Sequence, residues 1–138
     1  MIEEITEEVI RRINQRYILV EKTFNLSSHI EEGDIKIRMF TENIIEVACK
    51  YFYVEKIDFK SGAHLRGPFK KVAMCYVALC RELPEEPISY TKIGFQIKKD
   101  HATIMNIKNK WEQKMEKDFE FRQDYNAVKK QVEESLKV

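Results

Sequence analysis

Apolar residues recur at spacings of three and four along most of this chain, and this periodicity limits what the chain can fold into. Over residues 44–52, 72–83, 104–115 and 119–132 the spacing places apolar side chains on one face of a helix. The chain has 4 Gly and 3 Pro, whereas an all-β sandwich needs many turn residues. For 138 residues we expect one all-α domain with an appendage.

The appendage and the domain are predicted to meet near residue 40. An amphipathic helix is indicated by the stripe Ile2, Ile5, Val9, Ile13, Tyr17 and Val20. Ser27-Ser28 and the weak alternation over residues 35–38 then predict a linker or a short extended segment. Thr41 is typical of a helix N-cap. We therefore expect an N-terminal helix plus linker over residues 1–40 and a helical domain over residues 41–138.

The cysteines favour a reducing compartment. Cys49, Cys75 and Cys80 show no CxxC spacing, as is usual for a cytosolic chain. Cys75 and Cys80 fall within a helical pattern, so we expect small buried side chains there. The N-terminus lacks the basic region of a secretory signal, and no apolar run approaches the roughly 18 residues of a membrane span. A cytoplasmic protein without membrane contact is expected.

No pattern indicates catalysis, a metal site or a cofactor. Residues 62–67 have the glycine spacing of a phosphate-binding loop, but Pro68 and Phe69 stand where that loop needs Lys and Ser or Thr. No nucleotide is therefore expected. The histidines lie far apart and give zinc no ligand pair: His29, His64 and His101. We expect a protein that is not an enzyme and binds no cofactor.

Charge is uneven along the chain although the formal net charge is +1. Residues 61–81 carry four basic and no acidic side chains, and residues 98–117 carry six basic and three acidic ones. A polyanion responds to the local field rather than to the total charge. These two segments therefore predict a face that binds nucleic acid.

Residues 68–115 predict a helix, a short helix, a tight turn and a longer helix, the order found in a helix-turn-helix. Ser89 and Asp100 are suited to cap the second and third helices, and Gly94 is expected to loosen the short one. If the apolar stripe of the last helix is buried, its open face is expected to hold His101, Ala102, Met105 and Lys108. Lys98 and Lys99 precede that helix, where they can meet phosphates. An ordinary helical hairpin with a solvated basic face gives the same pattern.

Residues 89–104, Ser-Tyr-Thr-Lys-Ile-Gly-Phe-Gln-Ile-Lys-Lys-Asp-His-Ala-Thr-Ile, resemble the signature of the C-terminal DNA-binding domain of the bacterial replication initiator family DnaA. That signature runs Ile-Gly, Phe-Gly, then Arg or Lys followed by Asp-His-x-Thr-Val. The similarity extends over residues 42–136. It implies an all-α helix-turn-helix bundle of the DnaA C-terminal, Trp-repressor-like type, with an N-terminal helical appendage.

The resemblance also implies which residues contact DNA. The start of the recognition helix would supply Lys99, Asp100, His101 and Thr103. The preceding loop would supply Arg66 to the minor groove, and Lys70 and Lys71 would lie near the DNA backbone. Ala102 departs from the Thr or Ser of many members and offers only a methyl group, for instance to thymine. Lys99 replaces a common Arg and lacks its bidentate fork.

Two functions stay open at this point. The first is a double-stranded DNA-binding protein without the ATPase module, acting in replication initiation or its regulation, or in transcription control, in a bacterium, phage or mobile element. The second is a helical protein-interaction module that keeps the fold but has lost specific DNA recognition. Residues 1–40 would then self-associate or bind a replication protein. For single residues the alternatives are an N-cap at Asp100, a backbone-bonded His101 and a solvated charge at Arg66.

Overall fold

The computed structural model describes residues 32–137, which form six helices joined by short connections. Their bounds are α1 Glu32–Tyr51, α2 Lys56–Lys60, α3 Pro68–Glu82, α4 Tyr90–Gln96, α5 His101–Lys117 and α6 Phe119–Lys137. No strand occurs within this range, so the predicted all-α class is confirmed for it. α3 packs against α1, α5 and α6, and α5 packs against α4 and α6.

α3 is the central helix of the core. Nine consecutive residues, Val72–Cys80, are buried. The spacing had predicted one apolar face, made by Val72, Tyr76, Leu79 and Leu83. The buried surface of α3 is wider than predicted. Most of the side chains between these positions are small, so neighbouring helices can pack around α3 on all sides. Trp111 and Tyr76 are both core residues, at 7% and 0% exposure.

α1 corrects the expected start of the first domain helix. Residues 35–38 are helical rather than extended, and the helix runs without a break from Glu32 through Thr41. Thr41 is not an N-cap: its buried hydroxyl donates to the Arg38 carbonyl oxygen at 2.9 Å, the bond that a threonine makes inside a helix. The division between residues 40 and 41 thus falls within one helix. The predicted N-terminal stripe and Ser27-Ser28 lie outside the described residues.

The connection between α1 and α3 contains the short helix α2 and is not a loop throughout. Residues 58–60 belong to α2. Phe59 anchors this helix to the core, because it is buried at 1% exposure and its ring centre lies 6.3 Å from that of Tyr76. Glu42 of α1 holds this short helix through salt bridges to Lys56, at 2.7 Å, and to Lys60. The loop proper is therefore residues 61–67.

The turn between α4 and α5 is set by capping and by a close backbone approach. The Lys99 N–H donates to Gly94 O at 3.0 Å and the Lys98 N–H to Phe95 O at 3.5 Å, the pattern of a Schellman ending. Lys98 takes the left-handed position at φ +57°. A Cβ on Gly94 would overlap the Lys99 carbonyl oxygen and lie 3.0 Å from Cγ1 of Ile104. Gly94 is therefore buried at a helix contact and does not loosen α4, as had been expected.

The cysteines are buried, and all three are free thiols. Burial raises the pKa of Cys49 to about 11 and raises the pKa of Cys75 and Cys80 further. The prediction of small core residues is confirmed for Cys75 and Cys80. Within residues 32–137 no group of three His, Cys, Asp or Glu side chains is placed to hold a metal. None of the described helices is long and apolar enough to cross a membrane.

Candidate nucleic-acid interface

In the first two turns of α5, one side of the helix packs into the core and the other side is exposed to solvent. The buried side is made by Ile104 and Ile107. The exposed positions are His101, Ala102, Thr103, Met105 and Asn106. A surface of this kind can meet a ligand without rearranging the core.

Asp100 caps α5 as the sequence predicted. Its Oδ1 accepts a hydrogen bond from the Thr103 N–H at 2.8 Å. The side-chain and backbone hydrogen bonds of Thr103 hold the pKa of the Asp100 carboxyl below its ordinary value. Asp100 is therefore a charged N-cap at neutral pH, and its first role is to stabilise the start of α5.

Lys99 joins the loop of residues 61–67 to the start of α5. Its ammonium donates to the carbonyl oxygens of Gly62 and Ala63, at 2.9 and 3.0 Å. Two of its three N–H donors are thus used within the chain. The prediction that Lys99 also contacts DNA stays a prediction. What the geometry does show is that Lys99 holds the loop, with His64 and Arg66, beside the recognition-helix candidate.

A groove of about 310 Å³ lies between this loop, the start of α3 and α5. We call it the basic groove and define it by its polar lining: His64, Lys70, Lys99, Thr103, Asn106 and Lys110. A further groove of about 460 Å³ shares Lys70 and Lys110 and continues along α5 to Lys114 and Lys117. Neither Lys70 nor Lys110 has a hydrogen bond or ion pair within residues 32–137. Lysines from α3, from the turn before α5 and from α5 itself therefore line the two grooves, and among them Lys114 pairs with Asp118, which lines the second groove.

Three of the predicted DNA-binding lysines, Lys71, Lys98 and Lys108, lie outside the basic groove. Lys71 faces a different groove, together with Lys50 and Tyr53. Lys108 was expected on the exposed face, but its side chain is 14% exposed and pairs with Glu112 at 3.2 Å. Its ammonium also lies 4.4 Å from the centre of the Trp111 ring. Since it is covered and already paired, Lys108 is poorly placed to meet a phosphate.

The remaining predicted residues sit around the start of α5. Arg66 and Lys98 are exposed, and the Arg66 guanidinium makes no hydrogen bond or ion pair with the described part of the chain. Within residues 32–137 the His101 ring bonds no backbone atom, and it meets the Tyr90 ring edge-on, 6.1 Å between centres. The Arg81 guanidinium lies 4.4 Å from the centre of the same Tyr90 ring. Aromatic contact thus orients His101 on the α4 side of α5.

Sequence reasoning missed three residues of the basic groove: His64, Asn106 and Lys110. For Asn106 and Lys110 the signal was present, because they follow Thr103 at i+3 and i+7 and so share its helix face. His64 had no local signal. Its place depends on the bond from Lys99 to Ala63, which is 36 positions away.

The charge of this surface is strongly one-sided. Residues 98–117 carry six basic and three acidic side chains, and two of the acidic ones, Asp100 and Glu112, are engaged within the chain. Residues 61–81 add four cations and no carboxylate. The two segments meet at the basic groove, so the structure brings together the two basic islands of the sequence.

The chain was compared with protein-family models, with curated proteins and with solved structures. None of the three comparisons gives a match.

Proposed function

We propose that this protein binds double-stranded DNA, with α4 and α5 as a helix-turn-helix of the DnaA C-terminal type and α5 in the major groove. One observation carries the proposal: the basic groove runs beside the exposed first two turns of α5. Base edges need polar side chains on an exposed helix face, and phosphates need cations beside it. This surface offers both side by side.

The base-reading side chains in this proposal are His101, Thr103 and Asn106. An asparagine amide can donate to and accept from adenine, and a threonine hydroxyl can meet several bases. Ala102 lies between His101 and Thr103, and its methyl group can make an apolar contact with the methyl group of thymine. The α5 start would thus distinguish sequences rather than bind all DNA equally.

The phosphate contacts come from the flanking elements. Lys70 at the start of α3 and Lys110 in α5 line opposite sides of the basic groove, and both ammonium groups are uncommitted within residues 32–137. Arg66, held on the loop by Lys99, would reach the adjacent minor groove. Lys98 would meet the backbone at the turn. The resemblance to DnaA supports a role in replication initiation, its regulation or transcription control.

Titration of a fluorescent mixed-sequence duplex at several salt concentrations tests the proposal. About four to six phosphate contacts predict a slope near −4 to −5 in log affinity against log salt concentration. Lys70→Gln and Lys110→Gln should each weaken binding to all sequences and reduce the slope by about 1. Asn106→Ala should instead reduce the preference for a sequence selected from random duplexes.

Lys130→Gln is the matched control, because it removes one exposed positive charge from α6 and Lys130 does not line the basic groove. Its affinity and slope should equal those of the wild type. Absence of binding by wild-type protein at low salt and micromolar concentration would contradict the proposal. That result would favour the protein-interaction module instead.

A further inference from the structure

Tyr53 lies two residues beyond the end of α1, in a backbone conformation that a tyrosine does not favour. Its φ is +57°, and the Val54 N–H donates to Cys49 O at 2.8 Å, the ending at which glycine is usual. The Tyr53 side chain is 96% exposed, so no packing within residues 32–137 offsets the strain. A residue that breaks a local rule without a compensating contact points to a contact with another molecule.

The surroundings of Tyr53 show what kind of molecule that is. An open groove of about 870 Å³, which we call the Tyr53 groove, lies between the end of α1, the start of α3 and α6. Lys50 and Lys71 line it from two different helices, and neither ammonium is bonded within the described residues. One carboxylate, Asp124, also lines it and accepts the Tyr51 hydroxyl at 2.9 Å. Two cations against one engaged carboxylate favour an anionic ligand.

The Tyr53 groove adjoins the basic groove across the first turn of α3. Lys70 and Lys71 are consecutive, and they line the basic groove and the Tyr53 groove respectively. Gly67, directly before this turn, lines the Tyr53 groove with nothing within 4 Å of where a Cβ would stand. A long anion lying over the start of α3 can therefore meet both grooves at once.

We propose that the Tyr53 groove holds the sugar–phosphate backbone of the duplex whose bases α5 reads. Lys50 and Lys71 contact phosphates there, and the Tyr53 hydroxyl donates a hydrogen bond to a phosphate oxygen, as tyrosine hydroxyls do in DNA complexes. This inference rests on the proposed DNA binding. It extends the footprint from α5 across the start of α3 to the end of α1.

Variants of Tyr53 separate strain from contact. Tyr53→Gly removes the side chain and relieves the left-handed conformation, so it should raise the midpoint of urea unfolding and yet weaken duplex binding. Tyr53→Phe removes only the hydroxyl and should weaken binding about threefold to tenfold, as for one hydrogen bond, with the unfolding midpoint unchanged. Variants of the lysines, Lys50→Gln and Lys71→Gln, should each reduce the salt slope by about 1. Lys130→Gln again serves as the control.

The outcomes distinguish this inference from the proposal on which it depends. If Lys110→Gln weakens binding while the Tyr53 and Lys50 variants bind as tightly as the wild type, the Tyr53 groove is not part of the footprint and this inference is wrong. If the wild type binds no duplex, the proposed function and this inference fail together. Weaker binding by both Tyr53 variants without loss of fold supports it.

Discussion

α3 and α5 have similar lengths, 15 and 17 residues, but the core covers them very differently. α3 buries nine consecutive residues, whereas α5 buries three, Ile104, Ile107 and Trp111. A helix enclosed on all sides along its middle has surface to offer a ligand only at its two ends. A helix buried along one stripe can change most of its surface without changing the fold. Substitutions in and around α3 should therefore alter stability, and those on the open side of α5 should alter binding.

The largest expected effect is at the contact between α4 and α5. Gly94→Ala places a Cβ against the Lys99 carbonyl oxygen, and this backbone atom cannot move without displacing the start of α5. We expect a loss of about 3 kcal/mol in the free energy of unfolding, measured by chemical denaturation. Thr91→Ala, at an exposed position of α4, is the control and should cause no loss. An equally stable Gly94→Ala variant would show that the two helices are not held at this distance.

Tyr76→Phe tests whether α3 holds α4 through a buried polar bond. The Tyr76 hydroxyl donates to the Ile93 carbonyl oxygen at 2.8 Å, and both residues are fully buried. Removal leaves a buried acceptor unpaired and should lower the free energy of unfolding by about 1–3 kcal/mol. Tyr90→Phe removes a hydroxyl that has no bond within residues 32–137 and should leave stability unchanged. Equal stability of both variants would contradict the role given to Tyr76.

The loop contact of Lys99 is tested by a double-mutant cycle with Arg66. If Lys99 positions the loop, Lys99→Met should remove most of the contribution of Arg66 to DNA binding, and the two substitutions should be coupled by about 1 kcal/mol. If Lys99 acts only on a phosphate, their effects should add. The distant pair Arg66→Gln and Lys117→Gln should add in either case. Duplex affinity at one fixed salt concentration is the measurement.

Lys98→Gly should separate stability from binding within one residue. Glycine relieves the left-handed conformation at φ +57° and should raise the free energy of unfolding by about 1 kcal/mol. The same change removes a cation at the turn and should lower the salt slope of DNA binding by about 1. Lys98→Asn, which also tolerates this conformation, should show the same loss in slope with a smaller gain in stability. A loss of stability in Lys98→Gly would contradict the strain argument.

The smallest effect on stability is expected on the open side of α5. Asn106→Ala should change the free energy of unfolding by less than about 0.5 kcal/mol, since the side chain is exposed, while it alters sequence preference in a duplex selection. Asn126→Ala, exposed on α6, should leave both properties unchanged. If Asn106→Ala were strongly destabilising, the contrast between α3 and α5 would be wrong.

Local signals predicted the parts of the fold that depend on one or two helical turns. The caps Ser89 and Asp100 are where they were expected, with Lys92 N and Thr103 N as donors. Prediction failed where the full extent of a helix, or the contact between two helices, decides the role of a residue. Thr41 looked like a cap but lies inside α1, and Gly94 looked like a weak point but is a helix contact. The role of Thr41 depends on how far α1 extends before it, and the role of Gly94 depends on how closely α4 and α5 approach.

The sequence by itself determined that the chain forms helices, where most of them begin and end, and that its cations cluster in two segments. These properties follow from side-chain spacing and capping, which act between residues a few positions apart. The tertiary structure decided which cations act together. It sends the consecutive Lys70 and Lys71 into two different grooves and ties Lys99 to a loop 36 positions earlier. Such groupings depend on how helices pack, and no local pattern of residues contains that information.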